Sequence, residues 1–473
     1  MEDSWVNSAE VLGADLHLEL SGPGSRRAVL MRALREAVRG GRLAPGTRLP
    51  PYRSLAADLG VARNTVADAY AELVAEGWLT ARQGSGTRVA ARAEPVAPVR
   101  VRTTPDRVGK PVYDLVQGKP DPAAFPRTAW IASARRALNA APNDAFGPGD
   151  PRGRAELREA LAGYLARARG VRTDPERIVL CSGVAHGLRL LARTVGGRWG
   201  VEAYGLPFHR GLLTGAGVET APLAVDAEGA DVSGLGRERA VLLTPAHQFP
   251  TGGPLGSGRR AAVVDWARAT GGLVVEDDYD GELRYDRQPV GAVQSLDPER
   301  VALLGSVSKS LSPTLRIGWM VLPDALVDDI AAAKGEREQW SSATEQLTLA
   351  DFIASGEYDR HVRRMRQRHR RRRDRLVEVL AERAPQVRVG GVAAGLHAVL
   401  ELPPGSERAV VKAAAWQGLA VEGLDEYRHP LAPAGRRDGL VVGYATPPER
   451  DYPGALDALC RALPPAEESL AGA

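Results

Sequence analysis

Apolar residues in the first ninety positions recur at a helical spacing. The stretch AVLMRALREAVR (28–39) places them on one helix face, and the glycine pair at 40–41 ends the pattern. The stretches YRSLAADLG (52–60) and ARNTVADAYAELVAEG (62–77) predict two further helices, each closed by glycine. Next, the segment WLTARQGSGTRVA (78–90) alternates around a glycine-rich tip and predicts a hairpin.

From about residue 113 the pattern changes to short apolar runs that alternate with helical stretches. Examples of the runs are RIVLCSG, AVLLTPAH, LVVEDD and RVALLGS. This alternation predicts an α/β domain with a largely parallel sheet over residues 113–473. Residues 91–112 are rich in Pro, Ala and Arg without a period and predict an extended linker.

Three helices followed by a hairpin form the pattern of a winged helix-turn-helix, mainly α with a β wing, which we assign to residues 1–90. In such modules the second helix of the motif enters the major groove through its first residues. Arginine and asparagine side chains there can bond guanine and adenine edges, while other arginines meet phosphates and glycines let the wing approach the minor groove. The expected DNA-binding residues are Arg48, Arg53, Arg63, Asn64, Thr65, Gly84 and Gly86.

Charge supports a polyanionic partner for this first segment. The chain of 473 residues has a net charge of only +4, but residues 26–92 hold twelve arginines and five acidic residues, a local charge of +7.

The first twenty residues lack the apolar core of a signal peptide, and no run reaches the roughly 20 apolar residues of a membrane span. With two cysteines and no disulfide framework, we expect a cytoplasmic protein that has no membrane partner.

The strand ends of the second segment carry candidate chemistry, because ligands of parallel sheets bind there. After IVLCS, the N–H groups of Val184 and Ala185 open a helix and can hold a phosphate. After GLVV, Asp277 is an acid at the end of a buried strand, where a protonated pyridine nitrogen is one possible partner. Two residues further along, the phenol of Tyr279 can form a hydrogen bond with a hydroxyl group on the same pyridine ring.

The stretch SVSKSLSPTLRIGW (306–319) completes the set. Pyridoxal phosphate requires a lysine for a Schiff base, an acid for the ring nitrogen and donors for its phosphate. Lys309 supplies the amine, and Ser306, Ser308 and Arg316 supply the phosphate contacts. Together with the loop TPAHQFPTGGPLG (244–256), which follows a fourth apolar strand, these strand ends predict a site for pyridoxal 5'-phosphate.

The residues GTRLPPYRSLAADLGVARNTVADAYAELVAEGWLTARQGSGTRV resemble the DNA-binding domain of the GntR family of bacterial transcription regulators. The stretches TPAHQFPTG, VVEDDYDGELRY, GSVSKSLSPTLRIGW and AGLHAVLEL resemble fold-type I aminotransferases. Joined in this order, the two parts resemble the MocR subfamily, and within it the PdxR-like regulators of vitamin B6 synthesis.

That resemblance implies a transcription regulator rather than an enzyme. It implies an internal aldimine at Lys309 and a head-to-tail, domain-swapped homodimer. The partners would be a double-stranded DNA operator and an effector, either pyridoxal phosphate itself or an amine or amino acid. The ligand state would set the DNA-bound geometry.

The sequence departs from the subfamily in three places, one of which is His186, where glutamine is frequent. Leu206 stands where a tyrosine usually stacks on the cofactor ring, although Tyr204 is close by. The late strand GLVVGY contains no arginine for a substrate carboxylate; Arg436 and Arg437 precede it. A further feature agrees with the subfamily, in which a similar basic helix is common: the run RHVRRMRQRHRRRRDRL (360–376) has arginine on every helix face. We expect a structural helix with a secondary role at DNA phosphates.

Two alternatives stay open on these residues. The first is a working aminotransferase with an appended DNA-binding domain, which the missing carboxylate-binding arginine argues against. The second is a regulator that has lost pyridoxal phosphate, for which Leu206 is the only clear support against Lys309, Asp277 and Arg316.

Overall fold

The computed structural model describes residues 18, 20–82, 86–91, 111–285, 290–335, 342–432, 435 and 437–465. The chain divides into two compact units, Met1–Gly109 and Lys110–Ala473. The division falls inside the segment predicted as a linker, of which residues 92–110 lie outside the described part.

The first unit has the predicted winged helix-turn-helix fold, with three helices and an antiparallel pair of strands. These are α1 (Arg26–Arg39), α2 (Tyr52–Asp58), α3 (Arg63–Ala75), β1 (Leu79–Arg82) and β2 (Gly86–Val89). The side chain of Ser25 accepts the N–H of Ala28 and so caps α1. Apolar faces of the helices and of the hairpin meet in one core that includes Leu34, Val66 and Leu79.

The second unit contains a large sheet and a small sheet. Its strands are β3 (Tyr113–Asp114), β4 (Ile178–Cys181), β5 (Arg198–Glu202), β6 (Glu219–Leu223), β7 (Val225–Asp226), β8 (Gly229–Ala230), β9 (Ala240–Leu243), β10 (Leu273–Asp277), β11 (Val301–Ser306), β12 (Gly318–Val321), β13 (Arg388–Gly390), β14 (Ala398–Glu401), β15 (Leu419–Ala420), β16 (Glu422–Gly423) and β17 (Gly439–Val442). The large sheet has the order β4-β12-β11-β10-β9-β5-β6, and the small one β13-β14-β17-β16.

Helices cover these sheets. They are α4 (Arg127–Ala140), α5 (Ala155–Arg169), α6 (Val184–Val195), α7 (Pro207–Gly215), α8 (Ser257–Thr270), α9 (Asp324–Lys334), α10 (Ala343–Ala354), α11 (Glu357–Arg383), α12 (Glu407–Trp416) and α13 (Tyr452–Ala462). The long helix α11 belongs to two cores: Tyr358 and Val362 pack beside the large sheet, whereas Leu376 and Leu380 pack beside the small sheet. None of the helices in the described residues is long and apolar enough to cross a lipid bilayer.

The large sheet is parallel, as predicted, apart from β12, which is antiparallel to both β11 and β4. The reason is the connection. A parallel neighbour needs a crossover of a dozen or more residues, usually a helix, whereas β11 returns into β12 through the short loop that carries Lys309. The carboxyl ends of β5, β9, β10 and β11 therefore share one edge, and that loop lies beside them.

Close packing between β12 and the loop after β4 generates a stability prediction. A Cβ added to Gly318 would lie 2.7 Å from Cα of Gly183 and 2.9 Å from the carbonyl oxygen of Gly305, so backbone would have to move. We expect Gly318→Ala to destabilise the protein by about 1–3 kcal/mol. The control is Gly163→Ala on the exposed side of α5, which meets no atom within 4 Å and gains helix propensity. Thermal unfolding measures both, and equal midpoints would contradict the prediction.

Candidate functional site

One cavity of about 300 Å³ lies at the carboxyl edge of the large sheet. Its lining includes all eight residues that the sequence assigns to a cofactor. These are Val184, Ala185, Asp277, Tyr279, Ser306, Ser308, Lys309 and Arg316. They come from three separate stretches of chain, and the sheet topology brings the stretches together.

The amine of Lys309 is held inside this cavity. Its Nζ donates a hydrogen bond to the carbonyl oxygen of Gly118 at 2.6 Å. Burial lowers the pKa of Lys309, and the negative charges of Asp277 and Asp280 partly oppose that shift. A lowered pKa increases the fraction of neutral amine, which is the nucleophilic form.

The three consecutive acids at the end of β10 are bound differently. Glu276 accepts the backbone N–H groups of Val293 and Gln294, and Asp278 accepts two hydrogen bonds from Arg169 at 2.7 and 3.0 Å. Asp277 differs, because its Oδ1 is buried and has no hydrogen-bond partner among the described residues. Buried polar atoms are nearly always satisfied in proteins, so this carboxyl group is arranged for a partner that enters the cavity.

The other oxygen of Asp277 faces a histidine. Nδ1 of His209, on α7, lies 3.7 Å from Oδ2. Burial raises the pKa of Asp277 to about 8, and burial lowers the pKa of His209 to about 4. Both shifts favour the neutral forms of these two groups.

The opposite end of the cavity gathers donors. Gly183 ends the turn after β4 with φ of +105°, and no side chain caps the α6 helix that it opens, so the N–H groups of Val184 and Ala185 face the cavity. The guanidinium of Arg316 lies beside Gly183. Arg316 has a left-handed backbone with φ of +54°, the one such non-glycine residue in the described chain. A strained conformation of this kind is typical of a functional position.

Tyr279 sits in a buried polar and aromatic group. Its hydroxyl lies 2.9 Å from Nδ1 of His247, and that nitrogen lies 2.8 Å from Oδ2 of Asp280. Phe249 packs edge-on against Tyr279 and against His397, with ring centroids 5.8 and 5.1 Å apart. These rings make a rigid wall on one side of the cavity.

Leu206 lines the cavity directly before α7, and Tyr204 is not among the lining residues. Tyr204 is buried in a cluster with Phe249 and Tyr427, and its hydroxyl accepts the N–H of Arg437 at 3.4 Å. Tyr204 therefore does not take the place of a stacking tyrosine in this structure. The ring of a bound ligand would meet an aliphatic side chain there.

Several cavity residues were not singled out from the sequence. They are Gln117, Gly118, Glu202, His209, Arg210, Thr244, Phe249 and His397. His209 had a usable signal, since it follows Leu206 by three residues at the start of a helix. Gln117 had none, because its partner Tyr427 is 310 residues away in the chain.

Two arginines line the cavity in the described part of the chain, and Arg210 is the one with hydrogen bonds to the protein. Arg210 donates to the carbonyl oxygens of Gly205, Tyr427 and Arg428. Arg316 lies at the donor-rich end beside Gly183. Strand β17 is buried and supplies no charged side chain, and Arg436 lies outside the described residues.

The first unit presents the predicted DNA-binding residues at its surface. Arg48, Arg53, Arg63, Asn64 and Gly86 are exposed. Thr65 is half-buried, and Gly84 lies outside the described residues. The guanidinium of Arg63 is stacked 5.1 Å from the ring centre of Tyr52, an exposed partner that the sequence did not indicate. Arg48 packs against Gly86 in the hairpin.

Comparison with known protein families covers both units. Residues 27–89 match the family described as bacterial regulatory proteins, gntR family, and residues 110–429 match aminotransferase class I and II. The chain is 35% identical to the HTH-type pyridoxine biosynthesis transcriptional regulator PdxR of Corynebacterium glutamicum. The alignment of 440 residues covers 92% of this chain and 95% of that protein. It is 32% identical to the probable rhizopine catabolism regulatory protein MocR of Rhizobium meliloti, over 88% of this chain and 89% of that one.

Solved structures resemble the second unit. The kynurenine aminotransferase of Pyrococcus horikoshii superposes with a TM-score of 0.68 at 24% identity, over 75% of this chain and 91% of that chain. LysN, an α-aminoadipate aminotransferase of Thermus thermophilus solved with N-(5'-phosphopyridoxyl)-L-leucine, gives a TM-score of 0.66 at 24% identity, over 74% and 91%. At this identity the likeness shows a fold of the aminotransferase type.

The raised pKa of Asp277 predicts a pH dependence of the ligand-free protein. A carboxyl group that titrates near 4 when unfolded and near 8 when folded binds more protons in the folded state between those values. Its contribution to stability therefore decreases as pH rises from about 5 to 8. We expect Asp277→Asn to reduce the fall in the thermal midpoint over that range. Glu202 and Glu276, whose pKa values burial raises to about 7, account for part of the remaining fall.

The matched control is Asp328→Asn, at an exposed position of α9. This variant should keep the wild-type pH dependence. Identical midpoint-against-pH curves for wild type and Asp277→Asn would contradict the prediction.

Proposed function

The chain belongs to the MocR subfamily of GntR-family transcription regulators, and on that premise we propose that its α/β unit binds pyridoxal 5'-phosphate as the signal that controls DNA binding. Family membership makes the chain an HTH-type transcription regulator with an aminotransferase-like unit. The ligand, the residues that hold it and the operator contacts are the proposal.

The donor set of the cavity fits that ligand. Pyridoxal phosphate brings an aldehyde that a lysine amine can attack, a ring nitrogen that a carboxylate can balance, and a phosphate dianion. Lys309 offers an amine with a lowered pKa, and Asp277 offers the carboxyl oxygen that has no partner. The N–H groups at the start of α6, the hydroxyls of Ser306 and Ser308, and Arg316 provide the phosphate contacts.

The observation that carries the proposal is the contrast among the three acids after β10. Glu276 and Asp278 have partners within the protein, and Asp277, which faces the cavity with Lys309, is left with an unpaired oxygen. A protonated ring nitrogen would satisfy that oxygen and would hold Asp277 in its charged form despite burial. Tyr279, which also lines the cavity, would donate to a ring hydroxyl.

Sensing is favoured over turnover of amino acids. Transamination of an α-amino acid needs a cation for the substrate carboxylate, and Arg210 is committed to three carbonyl oxygens. In our proposal Arg316 is committed to the phosphate. The likeness to PdxR favours a role in pyridoxine biosynthesis, with pyridoxal phosphate itself or an amine as effector. A head-to-tail homodimer on an operator with two half-sites is the assembly that we propose for this regulator.

Covalent attachment at Lys309 is the first test. Wild-type protein mixed with pyridoxal phosphate should develop a visible absorbance band, and borohydride should fix the label to the peptide that contains Lys309. Lys309→Ala should lack the band, whereas Lys412→Ala, at an exposed position of α12, should retain it. A band of equal strength in Lys309→Ala, or no band in any protein, would contradict the proposed cofactor.

Operator contacts give a second prediction. With a duplex selected by the wild-type protein from a random library, Arg63→Ala or Asn64→Ala should weaken binding by about 1–3 kcal/mol and relax the preference at one base pair. Arg53→Gln should weaken binding to all sequences alike, because a phosphate contact carries no sequence information. Fluorescence anisotropy measures the affinities. Unchanged affinity and preference in Arg63→Ala and Asn64→Ala would refute this orientation of the recognition helix.

A further inference from the structure

Helix α11 carries a dense run of positive charge that the proposed cofactor site does not use. Residues 360–373 include nine arginines and no acidic residue. Because the helix places residues about 100° apart, eight of these arginines fall on two sides of it, and the ninth, Arg373, is half-buried. The two sides have different surroundings.

The arginines on the inner side bond the protein itself. Arg372 donates to the carbonyl oxygens of Tyr444, Ala445 and Pro447. Arg368 pairs with Asp121 at 2.5 Å, and Arg366 donates to the carbonyl oxygen of Glu282. These three fasten α11 to its neighbours, so the fold explains them.

The outer side has no such explanation. Arg363, Arg364 and Arg371 are exposed, and none has a hydrogen bond or ion pair within the described residues. Arg360, on the same side, pairs with Glu357, and Arg370 lies 3.8 Å from Asp374. Arg360 and Arg364 are four residues apart, a spacing at which like charges destabilise a helix. The outer charges therefore work against helix stability, and another interaction has to account for them.

We propose that the outer face of α11, formed by Arg360, Arg363, Arg364 and Arg371, binds phosphate groups of DNA. The four guanidinium groups line one side of a rigid helix over about three turns. A row of cations on a rigid rod, three of them without a partner among the described residues, matches the regular negative charge of a duplex backbone. Since the chain is a DNA-binding regulator, the polyanion it meets by function is its operator, and this surface would add to the contacts of the first unit.

The inner face of the same helix touches the loop that carries the candidate Schiff-base lysine. Nε2 of His361 donates to the carbonyl oxygen of Ser310 at 2.6 Å, and the Tyr358 hydroxyl lies 2.7 Å from the hydroxyl of Ser310. Tyr358 also donates to the buried carboxylate of Glu282. One helix thus carries both the arginine face and the contacts that hold the residue next to Lys309.

The test is the salt dependence of DNA binding by the full chain. Each phosphate contact contributes about 0.9 to the slope of log affinity against log salt concentration. The probe is a 60-base-pair duplex selected by the wild-type protein from a random library. We expect the triple variant Arg363→Gln/Arg364→Gln/Arg371→Gln to reduce the slope by about two to three and to weaken binding at least tenfold at low salt.

The control replaces three exposed arginines elsewhere on the same unit, Arg189→Gln/Arg193→Gln/Arg408→Gln, with the same loss of net charge. This variant should keep the slope within about one of wild type. Thermal midpoint and pyridoxal phosphate absorbance should be unchanged in the α11 variant, which shows that the fold is intact.

A slope and an affinity equal to wild type in the α11 variant would overturn the proposal, as would an equal loss in both triple variants. Neither result would contradict the proposed DNA contacts of the winged helix-turn-helix, which Arg63→Ala tests separately. The two hypotheses can therefore fail independently.

Discussion

A carboxyl group without a partner, buried at the edge of a parallel sheet, is the constraint on which the α/β unit depends. Burial of Asp277 opposes its ionisation, and the part of the protein that the structure describes supplies no donor for Oδ1. The neighbouring acids show that the fold is able to satisfy such groups, since Glu276 and Asp278 each accept two hydrogen bonds. The exception at Asp277 faces the cavity, where a cationic ring nitrogen would remove the penalty.

The other features of the site follow from the same sheet edge. The short return from β11 to β12 makes β12 antiparallel and keeps the Lys309 loop beside the strand ends. Gly318 then lies so close to Cα of Gly183 that a side chain at Gly318 would collide with backbone, and this contact lies at the turn that opens α6. The amine, the unpaired carboxyl and the anion-binding end consequently occupy fixed places in one cavity.

Much of this arrangement was predictable from the sequence, because local patterns encode it. Periodicity located α1, α3 and the strands β4, β10 and β11, and the residues at the strand ends were found because parallel strands present their carboxyl ends together. The antiparallel β12, the neutral His209 beside Asp277 and the stacking of Tyr52 under Arg63 were not predicted. Each depends on a contact between segments whose spacing in the chain carries no periodic signal. The run of arginines was visible in the sequence, but only the structure separates its bonded side from its unpaired side.

The central claim is that the state of Lys309 controls DNA binding, and coupling between the two ligands tests it most directly. The measurement is the operator affinity of the full chain with and without saturating pyridoxal phosphate, for wild type and Lys309→Ala. The account predicts a change of about fivefold or more in wild type, in either direction, and none in Lys309→Ala. Equal affinities in wild type with and without the ligand, or the same change in both proteins, would contradict it.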